Sequence, residues 1–294
     1  MLADPSGQGV DILSAIDDRE VFFRAVLAGR TDHLVEDRDY GITRQVEDFG
    51  RFAKVAGYSG QAPDWAERNI ETELRKLIQQ GFVLEAFLGA RQGALDGLHS
   101  GMHISGQLWL EIGHLEDGLR WLEKAARDGY PSALASHDWG LLRFGQHERA
   151  AAFFDEVWPR CQAFGQSHDG WWASELVNIL SNDALHRLAL GTDPAVVRAT
   201  WENCQEAGHD EATVYLAVLS WRSGDAEQAA KLLGELGDYD RDRFEELFQE
   251  QVARSTGWFR DWCADALQLI RGVWPVGSSR VSMSYCTGKL IAST

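Results

Sequence analysis

One skeleton of glycine, small residue and large apolar residue recurs along this chain and restricts what it can fold into. It runs Gly106-x2-Trp109-x3-Gly113-x4-Gly118-x3-Leu122-x2-Ala125-Ala126-x2-Gly129. It returns as Leu141-x3-Gly145-x4-Ala150-x3-Phe154 and as Ala217-x6-Gly224-x4-Ala229-x3-Leu233. Gly113, Gly145 and Gly224 each end one apolar helical stretch and precede another. Glycine suits the position after a helix because it takes a left-handed backbone cheaply. Acids follow each stop, as Glu116, Glu148 and Asp225, where they face the exposed amides of a new helix start. Gly118, Ala150 or Ala229 then lets two helices approach, and Leu122, Phe154 or Leu233 lies one turn further on the same face. The spacing predicts an all-α chain, an α-solenoid of stacked antiparallel helical hairpins.

These residues resemble the tetratricopeptide repeat and its Sel1-like relatives. Trp121-Leu122-Glu123-Lys124-Ala125-Ala126-Arg127-Asp128-Gly129 is similar to the Sel1-like ending of aromatic, basic, Ala-Ala and Gly. The resemblance covers roughly half the chain and, in a frame of about 34 residues, implies units near 99–132, 131–164, 177–210 and 210–243. The second unit carries His137-Asp138 where the family prefers a large apolar residue and then a small one. The organisation expected is an N-terminal helical region over 1–98, repeats over 99–243 with an insert near 165–176, capping helices over 244–274 and a Ser/Thr-rich tail over 275–294.

The flanks also read as helical. Val10–Ala28 and Thr43–Val55 carry apolar residues at helical steps. Pro63 opens a predicted helix over Asp64–Gln80, and Phe82–Leu95 has an apolar face. Arg241–Arg254 and Trp258–Ile270 form a terminal amphipathic pair, expected to cover the apolar end of the stack. Alternating β-branched runs, which a sheet would need, are nearly absent. The twelve tryptophans, among them Trp258 and Trp262 one turn apart, are read as core.

The formal charge of −17 opposes binding to nucleic acid, which depends on Lys and Arg neutralising phosphates, and to anionic membranes. No uncharged apolar run reaches the ~20 residues of a membrane helix, and no signal peptide is visible at Met1. The four cysteines, Cys161, Cys204, Cys263 and Cys286, fit no zinc motif and suit reduced thiols in a cytoplasmic protein.

No nucleophile elbow, phosphate loop or dinucleotide fingerprint occurs. His99 and His103 stand one helical turn apart, but no Glu lies between them to serve as a metalloprotease base. Asp17-Asp18 and Asn182-Asp183 are read as solvated helix acids. The expectation is a binding module with no catalytic residue, no metal and no cofactor. In the resembled family the first helix of each unit lines a concave surface that holds peptides or helices. By register, the resemblance implies His103 and Gln107 from the first unit and Trp139 and Arg143 from the second. It implies Asn178 and Ser181 from the third and Trp221 and Arg222 from the fourth. The partner expected is a protein or peptide, with no nucleic acid and no membrane. The alternatives are an enzyme or metal-dependent protein with a site near Asp96, His99 and His103, or an assembly scaffold.

Overall fold

The computed structural model describes residues 21–22, 64–167, 171–236 and 238–273. The expected helices over Val10–Ala28 (Val21 and Phe22 apart) and Thr43–Val55, Asp17-Asp18, Cys286 and the Ser/Thr-rich tail lie outside the described residues. The helices run in order α1 (Asp64–Gln79), α2 (Val83–Leu95), α3 (His99–Glu111), α4 (Leu115–Arg127), α5 (Pro131–Arg143) and α6 (His147–Ser167). They continue with α7 (Trp171–Ala189), α8 (Pro194–Glu206), α9 (Asp210–Arg222), α10 (Ala226–Gly234), α11 (Asp238–Arg254) and α12 (Gly257–Val273). The architecture is all-α, and sequential helices pack pair upon pair.

The glycine stops behave as the spacing predicts. Gly113, Gly145 and Gly224 sit at φ +85°, +69° and +89°, a conformation that costs a residue with a side chain. The amide after each glycine bonds back across the turn, His114 N to Trp109 O at 2.9 Å, and Gln146 N to Leu141 O and Asp225 N to Ser220 O at 3.0 Å each. These bonds satisfy carbonyls that a helix end otherwise leaves unpaired. Left-handed glycines also stand at 81, 97 and 129, so from 81 to 145 the stops fall at one constant interval. The helix starts are equally local. Pro131 and Pro194 open α5 and α8, Asp193 Oδ1 accepts from Ala195 N at 2.9 Å, and Asp225 Oδ1 accepts from Gln228 N at 3.0 Å.

The chain divides into two compact units, Met1–Trp121 and Leu122–Thr294, with the division inside α4. In the first, α2 and α3 cross so closely that a Cβ built on Gly101 would lie 2.5 Å from Ala94 N and 2.7 Å from Ala90 O. Gly118 plays the part expected of it, since its Cβ would meet Gly106 O at 2.8 Å. Phe22 stacks on Phe87 with ring centroids 3.8 Å apart, and Trp109 meets both edge-on.

In the second unit α5 packs on α6 and α7, and contacts then pass in sequence through α8 and α9 to α10. Ala150 and Ala229 are fully buried. The helices on either side of residues 168–170 are long, 21 residues for α6 and 19 for α7 against 13 for α5. Trp172 anchors the start of α7, buried against Tyr130 at 5.2 Å and Phe164 at 5.6 Å. The terminal pair, α11 and α12, packs on more than its neighbour in sequence. α12 packs on α9 and α10 and also reaches back to α5. Phe259 and Trp262 are fully buried in one core with Trp201, Tyr215, Phe244 and Phe248. Aromatic volume dictates this return, because the wide face of α12 finds enough apolar surface only across several helices.

Candidate functional site

On α5 and α9, the residues implied as ligand contacts lie where α12 packs. Trp139 on α5 is half-buried and edge-on to Phe259, with centroids 5.5 Å apart. The carbonyl of Arg143 accepts from Thr256 N at 3.0 Å and from Thr256 Oγ1 at 3.3 Å, which fixes the entry to α12. Arg222 at the end of α9 donates from Nε to Asp265 Oδ2 at 2.6 Å, and its Nη2 also pairs with that carboxylate. Its guanidinium lies 4.6 Å from the Trp262 ring centroid and 5.9 Å from that of Trp258. Trp221 is half-buried against the same core. An aromatic and charged clasp therefore holds a helix on the faces of α5 and α9.

The other implied residues are distributed differently. Ser181 is fully buried, and its carbonyl accepts from Trp201 Nε1 at 3.2 Å. Asn178 is half-buried on α7. His103 and Gln107 lie on α3 in the first unit and face α1: His103 Nδ1 is 3.4 Å from Glu71 Oε2, and Gln107 Oε1 accepts from Arg75 at 3.4 Å. Burial lowers the pKa of His103, against the opposing pull of Glu71. His99 is half-buried at the start of α3, and Asp96 accepts from Gln92 at 3.0 Å. Among the described residues no group of three or more His, Cys, Asp or Glu side chains is placed to hold a metal ion.

A second polar constellation lies inside the second unit. His137 and Asp138 are both fully buried on α5, with His137 Nδ1 3.1 Å from Asp138 Oδ1. His137 Nε2 lies 3.7 Å from Glu123 Oε1, which also accepts from Arg149 at 3.0 Å. The imidazole of His137 first, and then Arg149, hold Glu123 at about 2, against burial. Burial drives the His137 pKa down, but the carboxylates of Asp138 and Glu123 together leave it raised. Burial raises Asp138. From α7, His186 Nε2 lies 3.0 Å from the Asp138 carbonyl oxygen, and His186 Nδ1 is 3.1 Å from His147 Nδ1 on α6. Burial pushes His186 down to about 3 and lowers His147 as well.

Asn182 and Asp183 are not solvated acids of a helix surface. They are 3% and 7% exposed, because α7 packs on its neighbours over most of its circumference. Asp183 Oδ2 accepts from Arg187 Nε at 2.6 Å, and Arg187 also donates to Asp155 at 2.6 Å. Burial pushes Asp183 up to about 6 despite Arg187. The described cysteines, Cys161, Cys204 and Cys263, are buried and form no disulfide. Burial pushes the Cys161 thiol up to about 12 and that of Cys204 to about 11, so neither is a poised nucleophile.

The His147–His186 pair and the burial of Asp183 were not read from the sequence. The departure at His137-Asp138 was its one visible sign, since a buried polar pair needs further polar partners. Taken together, the geometry defines an all-α protein of sequential helix pairs. No protein-family model, no curated protein and no solved structure matches the chain.

Proposed function

We propose that this chain is a non-catalytic protein- or peptide-binding module of the tetratricopeptide-like kind, built from stacked antiparallel hairpins, whose ligand is held on the concave face. One observation carries the reading: the faces of α5 and α9 already hold a helix, the chain's own α12, through aromatic rings and an arginine–carboxylate clasp. Laying a helix into a groove on a few large anchors is a recurring mode of recognition.

The magnitudes decide how a partner uses that face. Phe259, Trp262, Cys263, Ala266 and Ile270 are at most 1% exposed. Burying side chains of this size contributes about 1.5–3 kcal/mol for each large one, so dislodging α12 costs about as much as a domain's whole stability. A partner therefore docks beside α12. Trp139, Trp221 and Trp258 are each half-buried against the core that α12 shares, and Arg222 lies over Trp258 and Trp262. Tryptophan and arginine are the usual anchors of interfaces. Arg222 is already paired with Asp265, so the half-buried indoles are the anchors offered to the partner, with the planar guanidinium beside them.

Copurification from native lysate, with the parent, Trp221→Ala and Arg222→Glu compared, tests this. The expected result is a defined partner retained by the parent and lost from both variants, while circular dichroism of the variants matches the parent. Equal retention by well-folded variants would remove this edge as the site.

A further inference from the structure

We propose that the buried His137–Asp138 pair is a pH-sensitive clamp in the second unit, holding one proton that seats α5 among its neighbours and loosening that seat as pH rises. Both side chains are fully buried. His137 Nδ1 lies 3.1 Å from Asp138 Oδ1, and on its other side Nε2 lies 3.7 Å from Glu123 Oε1 of α4, within ion-pair reach. One imidazole therefore stands between two carboxylates. Asp138 Oδ2 has no hydrogen-bond partner among the described residues, so the charge on Asp138 depends on His137 for compensation. A buried carboxylate left without a positive partner is strongly destabilising.

The helices around the pair supply no substitute for that proton. Arg127 of α4 and Arg149 of α6 donate to Glu123, at 3.2 Å and 3.0 Å, and so serve the other carboxylate. α6 further presents the Phe153 ring, 4.3 Å from that of His137, and the Cys161 thiol, which burial keeps protonated. From α7, His186 Nε2 reaches the main-chain oxygen of Asp138 and not its carboxylate, and burial keeps this ring uncharged near neutral pH. Asp183 of α7 adds negative charge, with Arg187 paired to it. Whether written as imidazolium and carboxylate or as imidazole and carboxylic acid, the pair keeps one proton and no net charge. Burial raises Asp138 against the pull of His137. Burial lowers His137, but the carboxylates of Asp138 and Glu123 leave it raised. Both shifts retain the shared proton past the ordinary histidine value of 6.5. The stability it gives is therefore fully present below that pH and is lost as pH rises through the higher folded value. α5 also carries Trp139 against Phe259 of α12, so its seating bears on that contact.

Nuclear magnetic resonance of the full chain, labelled with 13C and 15N and taken from about pH 5 to about pH 10, tests this. The ring of His137, identified as the signal lost in His137→Gln, and the carboxyl carbon of Asp138 are followed together. The expected result is one common titration step above pH 6.5, with the amides of residues 136–139 and of Glu123 shifting at the same midpoint and that of Gly101 not. In Asp138→Asn the ring should titrate lower by at least about one pH unit, tenfold in proton affinity. Glu123→Gln, which leaves the buried pair intact, should move the step down by less, and it keeps the test independent of whether Asp138→Asn folds. In thermal melts the parent should lose stability relative to Glu123→Gln as pH rises through the step. A His137 ring that titrates at or below 6.5 in the parent, a midpoint shared by the parent and Glu123→Gln, or amides of α5 that ignore the step would each overturn the proposal.

Discussion

At Gly101 the backbones of α2 and α3 come closer than a methyl group allows. A Cβ there would lie 2.5 Å from Ala94 N, 2.6 Å from Gly93 C and 2.7 Å from Ala90 O. All three are main-chain atoms, so no side-chain rotation relieves the overlap and the helices must separate. Gly101→Ala is expected to destabilise by about 1–3 kcal/mol or more. Gly234→Ala in α10, where the new methyl meets nothing within 4 Å, should be neutral or mildly stabilising. Thermal melts of the two variants check this, and equal melting points would contradict the close crossing. Asp183 gives a second expectation, with a sign. Burial pushes its carboxyl from 3.8 up to about 6, while Arg187 pulls the other way and Asp138 and Asp155 add to the rise. Between those values the folded chain keeps a proton that the unfolded chain releases. The stability from this group is present below about pH 4 and is lost as pH rises through about 6. Relative to Asp183→Asn, the parent should therefore lose up to a few kcal/mol across that window. His186, lowered from 6.5 to about 3, works in the opposite direction. Its contribution is present above pH 6.5 and is lost as pH falls from there. Melts of the parent and Asp183→Asn from pH 3.5 to 7 isolate the Asp183 slope, and a flat difference would contradict it.

At the scale of elements, α12 is held by two kinds of contact that differ in magnitude. Its buried rings supply most of the free energy, and the Arg222–Asp265 pair sets its register against α9. Both charged side chains are nearly one-third exposed, so the ion pair contributes at most about 1 kcal/mol. The guanidinium over Trp262 adds about 0.5–1 kcal/mol. A double-mutant cycle with Arg222→Ala and Asp265→Ala should yield a coupling of about 1 kcal/mol in denaturant melts. Strict additivity would mean that the clasp contributes nothing. Element boundaries were largely legible in advance. The helices predicted over Asp64–Gln80 and Phe82–Leu95 stand at Asp64–Gln79 and Val83–Leu95. The glycine stops carry that information locally, since a left-handed turn needs no distant partner. The course of α12 was not legible. Periodicity shows that Trp258, Phe259 and Trp262 share an apolar face, but only packing decides that Phe259 meets Trp139 and Trp262 meets Trp201. His147 and His186 are separated by a whole helix of chain, and no local pattern joins them.

For the whole molecule, the two compact units and their sequential helix pairs provide a framework without a poised nucleophile among the described cysteines. No described helix is long and apolar enough to cross a membrane. The register gave no sign that α12 lies on α5 and α9, because that contact joins segments far apart in the chain and leaves no local pattern. Of the implied residues, His103, Arg143 and Ser181 are buried, whereas Trp139, Asn178, Trp221 and Arg222 retain exposed surface. The account therefore rests on the aromatic and arginine edge beside α12. Site-specific photo-crosslinking measures this most directly, with a photoreactive phenylalanine in place of Trp221 in the full chain. In native lysate, illumination is expected to join position 221 to one defined protein, while the same probe at exposed Val196 joins to none. A well-folded chain whose position 221 captures nothing, or only the same background as position 196, would contradict the claim that this edge holds a partner.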